Sequence, residues 1–197
     1  MEKPVSEACL RNQQPIADLL KEYLPEPTFL LEIGSGTGQH AVYCAERLPH
    51  VSWQPSDLVM AHEGMNLWLA EANLPNILPP LVLDVEQLWP VEQVDAIFTA
   101  NTIHYVPWKT VVALFEGAAR ILSSGSLLLI YGPFNEHGQY TSEGNARLDA
   151  WLKSSVHAEV GIKDLDQLKM LAANNDFKLQ NNRDMPANNR LLVFKKC

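Results

Sequence analysis

Cysteine is scarce in this chain. The three residues, Cys9, Cys44 and Cys197, are odd in number and far apart, which argues against a disulfide framework and fits a reducing compartment. No C-x-x-C pair occurs and the six histidines are scattered, so no structural metal site is expected. Basic runs are missing too. Fifteen Lys and Arg face 23 Asp and Glu, for a net charge of −8. A field of that sign repels phosphate backbones and anionic membranes, so no nucleic-acid partner is expected. No apolar run reaches the roughly 18 residues of a membrane span, and the N-terminus has no basic stretch followed by an apolar one. A cytoplasmic protein without a membrane partner is the expectation. Repeats, low-complexity tracts and linkers are also absent. At 197 residues, 47% hydrophobic and 19% charged, the chain reads as a single domain over 1–197 with a substantial core and an N-terminal helical cap over 1–25.

What is present is organised around Phe29-Leu-Leu-Glu-Ile-Gly-Ser-Gly-Thr-Gly-Gln-His40. A buried strand, a glycine-rich turn and a helix in that order are where an α/β protein holds a nucleotide-like cofactor. Glu32, acidic at the end of an apolar strand, needs a partner and is a site candidate. Gly34, Gly36 and Gly38 let a ligand approach the main chain. A dinucleotide G-x-G-x-x-G would need glycine at 39, where Gln39 stands, and this disfavours an NAD-dependent oxidoreductase. The pattern is E-x-G-x-G-x-G, which resembles the first motif of S-adenosylmethionine (AdoMet) methyltransferases.

The flanking chain supplies alternating elements. Residues 4–24 predict a helix with Ser6 as a possible cap and Pro15 as a kink or restart point. Arg11 and Asn12 either lie on a solvated face or reach into the site. Residues 38–48 predict a helix whose first-turn N–H groups favour an anion at the turn. Residues 51–57 predict a second strand ending in Asp57, 23 positions after Gly34, close to the offset at which a carboxylate takes a cofactor's ribose hydroxyls. Pro55 inside that strand is an objection to it. A short helix over 63–72 and a third strand over 79–85 follow, the latter carrying Asp84, expected near the adenine. The fourth strand, 94–101, leads to His104, and a helix over 109–122 leads to an apolar fifth strand over 126–131. The polar segment 132–145 reads as a long loop at the ligand edge, the kind that serves as lid or substrate binder, with Thr141 or Ser142 capping the next helix. A helix over 164–174 and strands over 177–180 and 191–194 close the chain, joined by a turn that Asn188 and Asn189 can shape.

This alternation predicts an α/β fold: a doubly wound, mainly parallel seven-stranded sheet with a C-terminal antiparallel hairpin. The segments Arg11-Asn12, Leu31-Glu-Ile-Gly-Ser-Gly-Thr-Gly-Gln-His-Ala41, Trp53-Gln-Pro-Ser-Asp57, Phe98-Thr-Ala-Asn101, Tyr131-Gly-Pro-Phe-Asn135, Thr141-Ser-Glu143 and Met185-Pro-Ala-Asn-Asn189 resemble those of a methyltransferase-like family. That family includes methyltransferase-like protein 26 and many bacterial proteins. The resemblance spans nearly the whole chain and implies a class I, Rossmann-like methyltransferase fold and binding of AdoMet, with S-adenosylhomocysteine as product. It implies no acceptor. The expected cofactor contacts are Arg11, Asn12, Glu32, Gly34, Ser35, Gly36, Gly38, Asp57, Leu58, Asp84, Val85 and Asn101. Glu32 would hold the ammonium of the methionine moiety or the loop that contacts it, and Asp57 the ribose.

Methyl transfer is an in-line displacement at a sulfonium carbon, so alignment and shielding matter most and a base is optional. His104 is the expected base or acceptor partner, and Tyr131 and Asn135 are further catalytic candidates. The acidic charge favours a small-molecule substrate. A non-catalytic module that keeps the fold and presents a surface to a protein partner is the alternative.

Overall fold

A computed structural model describes residues 2–197, which form two compact units, one up to Thr99 and one over Ala100–Cys197. The protein is α/β with a mostly parallel sheet and antiparallel strands at its C-terminal end.

In the first unit, α1 (Glu7–Tyr23) starts at Ser6, whose hydroxyl accepts from Cys9 N, as the sequence predicts. It runs through Pro15 without restarting. The carbonyl that loses its helical donor there belongs to Arg11, an exposed residue that water can serve. β1 (Thr28–Ile33) and β2 (Val51–Asp57) pair in parallel over their whole lengths, and β4 (Val94–Ala100) lies on the other side of β1. β3 (Leu81–Val82) is the outer strand, so the order is β3-β2-β1-β4. The helices α2 (Gln39–Arg47) and α3 (His62–Ala72) make the crossovers. Chain order reverses between β1 and β4, and ligands bind at such switch points, beyond the strands' carboxyl ends.

Pro55 is accommodated by strand alternation. Trp53 and Asp57 bond outward, to Asn76, Leu78 and Leu83, while Ser56 O accepts from Gly34 and Ser35 on the inner side. Pro55 therefore directs its nitrogen outward into the gap where β3 has not yet begun. That gap also corrects the third strand: only two of its seven expected residues pair, and Asp84 falls in the turn beyond them.

Gly38 joins the turn to α2. Its φ is 82°, and a Cβ there would stand 2.9 Å from Cγ of Met65, a fully buried residue. We expect Gly38→Ala to lower stability by about 2 kcal/mol through backbone strain and displacement of Met65. Urea denaturation measures this, and an unchanged midpoint would mean that the turn does not require glycine there.

In the second unit, α4 (Trp108–Ile121) leads directly into β5 (Leu122–Asn135). β8 (Asn189–Lys196) runs antiparallel to β5, and β7 (Phe177–Met185) antiparallel to β8. A two-residue strand that the sequence did not signal, β6 (Lys163–Asp164), pairs with the end of β5. The hairpin strands are longer than expected because pairing resumes past a bulge between Leu179 and Asn181, leaving a turn over Pro186–Asn188. Asn188 has φ 57° and Asn189 Nδ2 donates to Pro186 O, so both asparagines shape that turn. The rings of Phe115, Phe177 and Phe194 pack edge to face in this unit's core.

Half of the expected long loop over 132–145 is regular structure. Residues 132–135 extend β5, and α5 (Glu143–Ser155) begins at Ser142, whose hydroxyl accepts from Asn145 N. Residues 136–142 remain, tied to their own unit: His137 to Asp166, Gly138 N to Asp164, Tyr140 to Asp149 and Thr141 to Phe134 O. The last helix, α6 (Leu165–Asn174), is capped by Asp164.

Candidate functional site

The end of β1 carries a carboxylate with almost no water. Glu32 is 1% exposed, and its Oε2 accepts from Trp53 Nε1 and from Ser35 Oγ, both at 2.9 Å. Burial pushes its pKa up to about 7, against the lowering effect of those two bonds. Both donors are neutral, and no Lys, Arg or His forms an ion pair with Glu32 among the described residues. A buried carboxylate without a counter-charge is suited to a cationic ligand group.

The glycine turn is fastened on both sides. Gly34 N and Ser35 N donate to Ser56 O, Ser35 Oγ also accepts from Ser56 N, and Gly36 N donates to Asp57 Oδ2 at 2.8 Å. The other carboxylate oxygen of Asp57 accepts from Leu58 N at 2.7 Å. Gly34, Gly36 and Gly38 have φ of 73°, 56° and 82°. A Cβ built on Gly36 would meet nothing within 4 Å, so the turn presents a bare backbone ledge beside Asp57.

Other predicted contacts have local work. Arg11 is exposed, whereas Asn12 is buried and its Oδ1 stands 2.7 Å from His40 Nε2, which joins α1 to α2. Burial lowers the His40 pKa to about 4, so the ring is neutral and donates from Nε2. Asp84 is exposed and accepts from Glu86 N, closing its own turn, while Val85 O accepts from Trp89 Nε1. Leu58 is 42% exposed. Trp53, Ser56 and His40 received no role from the sequence, although all three lie within or beside the motif segments; bonds to Glu32 and Asn12 reveal them only in three dimensions.

In the second unit, Asn101 has φ 55° and donates its N–H to Tyr131 O, which fixes the chain leaving β4. Tyr131 is 1% exposed. His104 is buried, its Nδ1 has no hydrogen-bond partner among the described residues, and a Cβ on Gly132 would lie 3.5 Å from that nitrogen. Glycine at 132 thus keeps space beside the ring. Burial, with a smaller effect of Lys163, lowers the His104 pKa to about 4, so the imidazole is neutral near pH 7. Asn135 Oδ1 is likewise buried without a hydrogen-bond partner among the described residues.

Comparison with known proteins places the chain. Residues 3–196 match the family model described as "Protein of unknown function (DUF938)". The chain belongs to that family. Among solved structures it is similar to the mitomycin 7-O-methyltransferase MmcR, with a TM-score of 0.82 and 13% identity over 96% of this chain and 54% of that one. An O-methyltransferase family 2 protein from Planctomyces limnophilus, in complex with apigenin, matches at 0.83 and 17% identity, over 96% and 58%. An O-methyltransferase family protein from Burkholderia thailandensis matches at 0.80 and 15%, over 96% and 57%. The DUF938 chain thus has the class I methyltransferase fold, and it spans a little over half the length of those relatives.

Proposed function

We propose that this protein is an AdoMet-dependent methyltransferase acting on a small-molecule acceptor. The observation that carries the reading is the buried Glu32 carboxylate, unpaired by any cation among the described residues, at the foot of an open glycine ledge whose Gly36 N–H is held by Asp57. Those groups fit the cofactor's parts: Glu32 the ammonium, the ledge the methionine chain, Asp57 the ribose hydroxyls. Bound there, AdoMet supplies an electrophilic methyl on a sulfonium.

The protein's own part is alignment and proton handling. His104, neutral and with a free Nδ1, accepts a hydrogen bond from an acceptor hydroxyl and takes up its proton as the oxygen is methylated. Asn135 Oδ1 is a second unfilled acceptor in the same unit, assigned to the substrate. Oxygen as the methylated atom rests on the names of the structural relatives. The net charge of −8 supports a small molecule over a polyanion.

Calorimetric titration with AdoMet and S-adenosylhomocysteine tests the cofactor. Micromolar binding is expected, and no binding at millimolar ligand would turn the search to protein partners. On an identified acceptor, His104→Ala is expected to lower kcat by about 100-fold or more with little effect on S-adenosylhomocysteine affinity. Undiminished turnover would remove His104 from the mechanism.

A further inference from the structure

Lys163 is a buried cation that forms no ion pair with an acid among the described residues. It is 7% exposed, sits on β6, and its Nζ donates to the carbonyl of Val106 at 2.8 Å. Among the described residues no carboxylate lies within ion-pair distance of it. The acid that acts on it electrostatically is Asp149, and that carboxylate is fully engaged: Oδ2 accepts from Tyr140 and Lys153, Oδ1 from Ile162 N, each at 2.6 Å. Burial draws the Lys163 pKa down to about 8, which still leaves it charged near pH 7. An ammonium held out of water with one neutral carbonyl is a poor arrangement for stability alone.

The segment that carries the cation is hydrogen-bonded to the segment of the proposed base. Val106 follows His104 by two positions, and Gly161, two residues before Lys163, donates its N–H to His104 O at 3.0 Å. The Lys163 charge adds to burial in lowering the His104 pKa. Resting on the methyltransferase reading, we propose that Lys163 receives a carboxylate of the methyl acceptor, so that the substrate is a hydroxylated organic acid rather than a neutral alcohol or phenol. The acid's charge completes the ion pair that the protein leaves open, while its hydroxyl is presented to His104.

The probes are salicylate, which carries a hydroxyl and a carboxylate, and salicylamide, its neutral counterpart, titrated by calorimetry into the full chain and into Lys163→Met and Lys163→Arg. Salicylate is expected to bind at least about tenfold more tightly than salicylamide, a preference lost in Lys163→Met and kept in Lys163→Arg. Equal binding, no binding of either probe, or a preference that survives Lys163→Met overturns the proposal. If Lys163→Met does not fold, the wild-type protein decides: its Lys163 Nζ resonance in a ¹⁵N spectrum moves with salicylate and not with salicylamide, or it stays still and the proposal fails. S-adenosylhomocysteine is titrated separately. Its failure to bind removes the methyltransferase reading and leaves the anion site standing, whereas its binding without a salicylate preference removes the anion site alone.

Discussion

Glu32→Ala is expected to destabilise the protein by about 4 kcal/mol. The substitution strands two donors, Trp53 Nε1 and Ser35 Oγ, in a place where Trp53 is fully buried and Ser35 is 5% exposed. Each buried group left unpaired costs about 1–3 kcal/mol, and the lost side-chain volume adds a cavity. Glu32→Gln isolates the charge, because both donors bond to a single oxygen, Oε2, and a carboxamide oxygen can take that place.

The two variants also separate a pH effect with a definite sign. The native pKa of Glu32 is raised from 4.5 to about 7, so the folded state binds this proton more tightly than the unfolded state. Its contribution to stability is therefore greatest below about pH 4.5, falls by about 3 kcal/mol as pH rises through 7, and is constant above. His40 and His104 act in the opposite sense over a largely overlapping range. Their pKa values are lowered from 6.5 to about 4, so what they contribute is complete above 6.5 and is lost as pH falls through 4. The wild-type profile mixes these effects, but the difference between wild type and Glu32→Gln contains only the first. Urea denaturation between pH 5 and pH 8 would show the stability of wild type relative to Glu32→Gln falling by about 3 kcal/mol as pH rises; parallel profiles would mean that Glu32 ionises normally.

How much of this was legible before folding depends on range. Elements set by local chemistry were readable: Ser6 and Ser142 as caps, β2 with its exact ends, and the turn whose glycines take positive φ. What the sequence misjudged depends on partners distant in the chain. Residues 79–85 have the composition of a strand, yet pairing also needs a neighbour in register, and β2 offers one only at Ser56 and Asp57. Residues 132–135 look like loop because they include glycine and proline, but β8 and β6 supply ladder partners and keep them extended. The candidate site divides in the same way. Glu32, the glycines and Asp57 announce themselves by spacing. Trp53 becomes visible only as a donor to Glu32, and Lys163 only when its burial and want of an acid are known. Asp84 is the opposite case, a residue whose position in the alternation suggests the adenine and whose carboxylate caps a turn.

Asp57→Ala is the substitution that bears most directly on the cofactor, with an expected loss of at least tenfold in S-adenosylhomocysteine affinity. In the free protein each oxygen of Asp57 accepts one backbone N–H, from Gly36 and from Leu58, and keeps capacity for a further donor. Two vicinal ribose hydroxyls supply such donors, and charge-assisted bonds of this kind contribute about 1.5–3 kcal/mol each, or one to two orders of magnitude in affinity. Asp57→Asn should fall between, since the amide retains one acceptor oxygen and loses the charge. The same carboxylate also holds the glycine turn, so a loss of affinity could come from a loosened turn instead of a lost contact. The unliganded stability of Asp57→Ala separates the two, and Gly36→Ala tests the ledge itself. Its methyl enters open space, so the variant folds with only the strain of a positive φ, yet the methyl stands on the ledge where the ligand would approach. A contact role for Asp57 predicts that both variants lose affinity while their unliganded stability stays within about 2 kcal/mol of wild type. If Asp57→Ala binds as the wild type does, the ribose lies elsewhere, and the carboxylate at the end of β2 serves the turn alone.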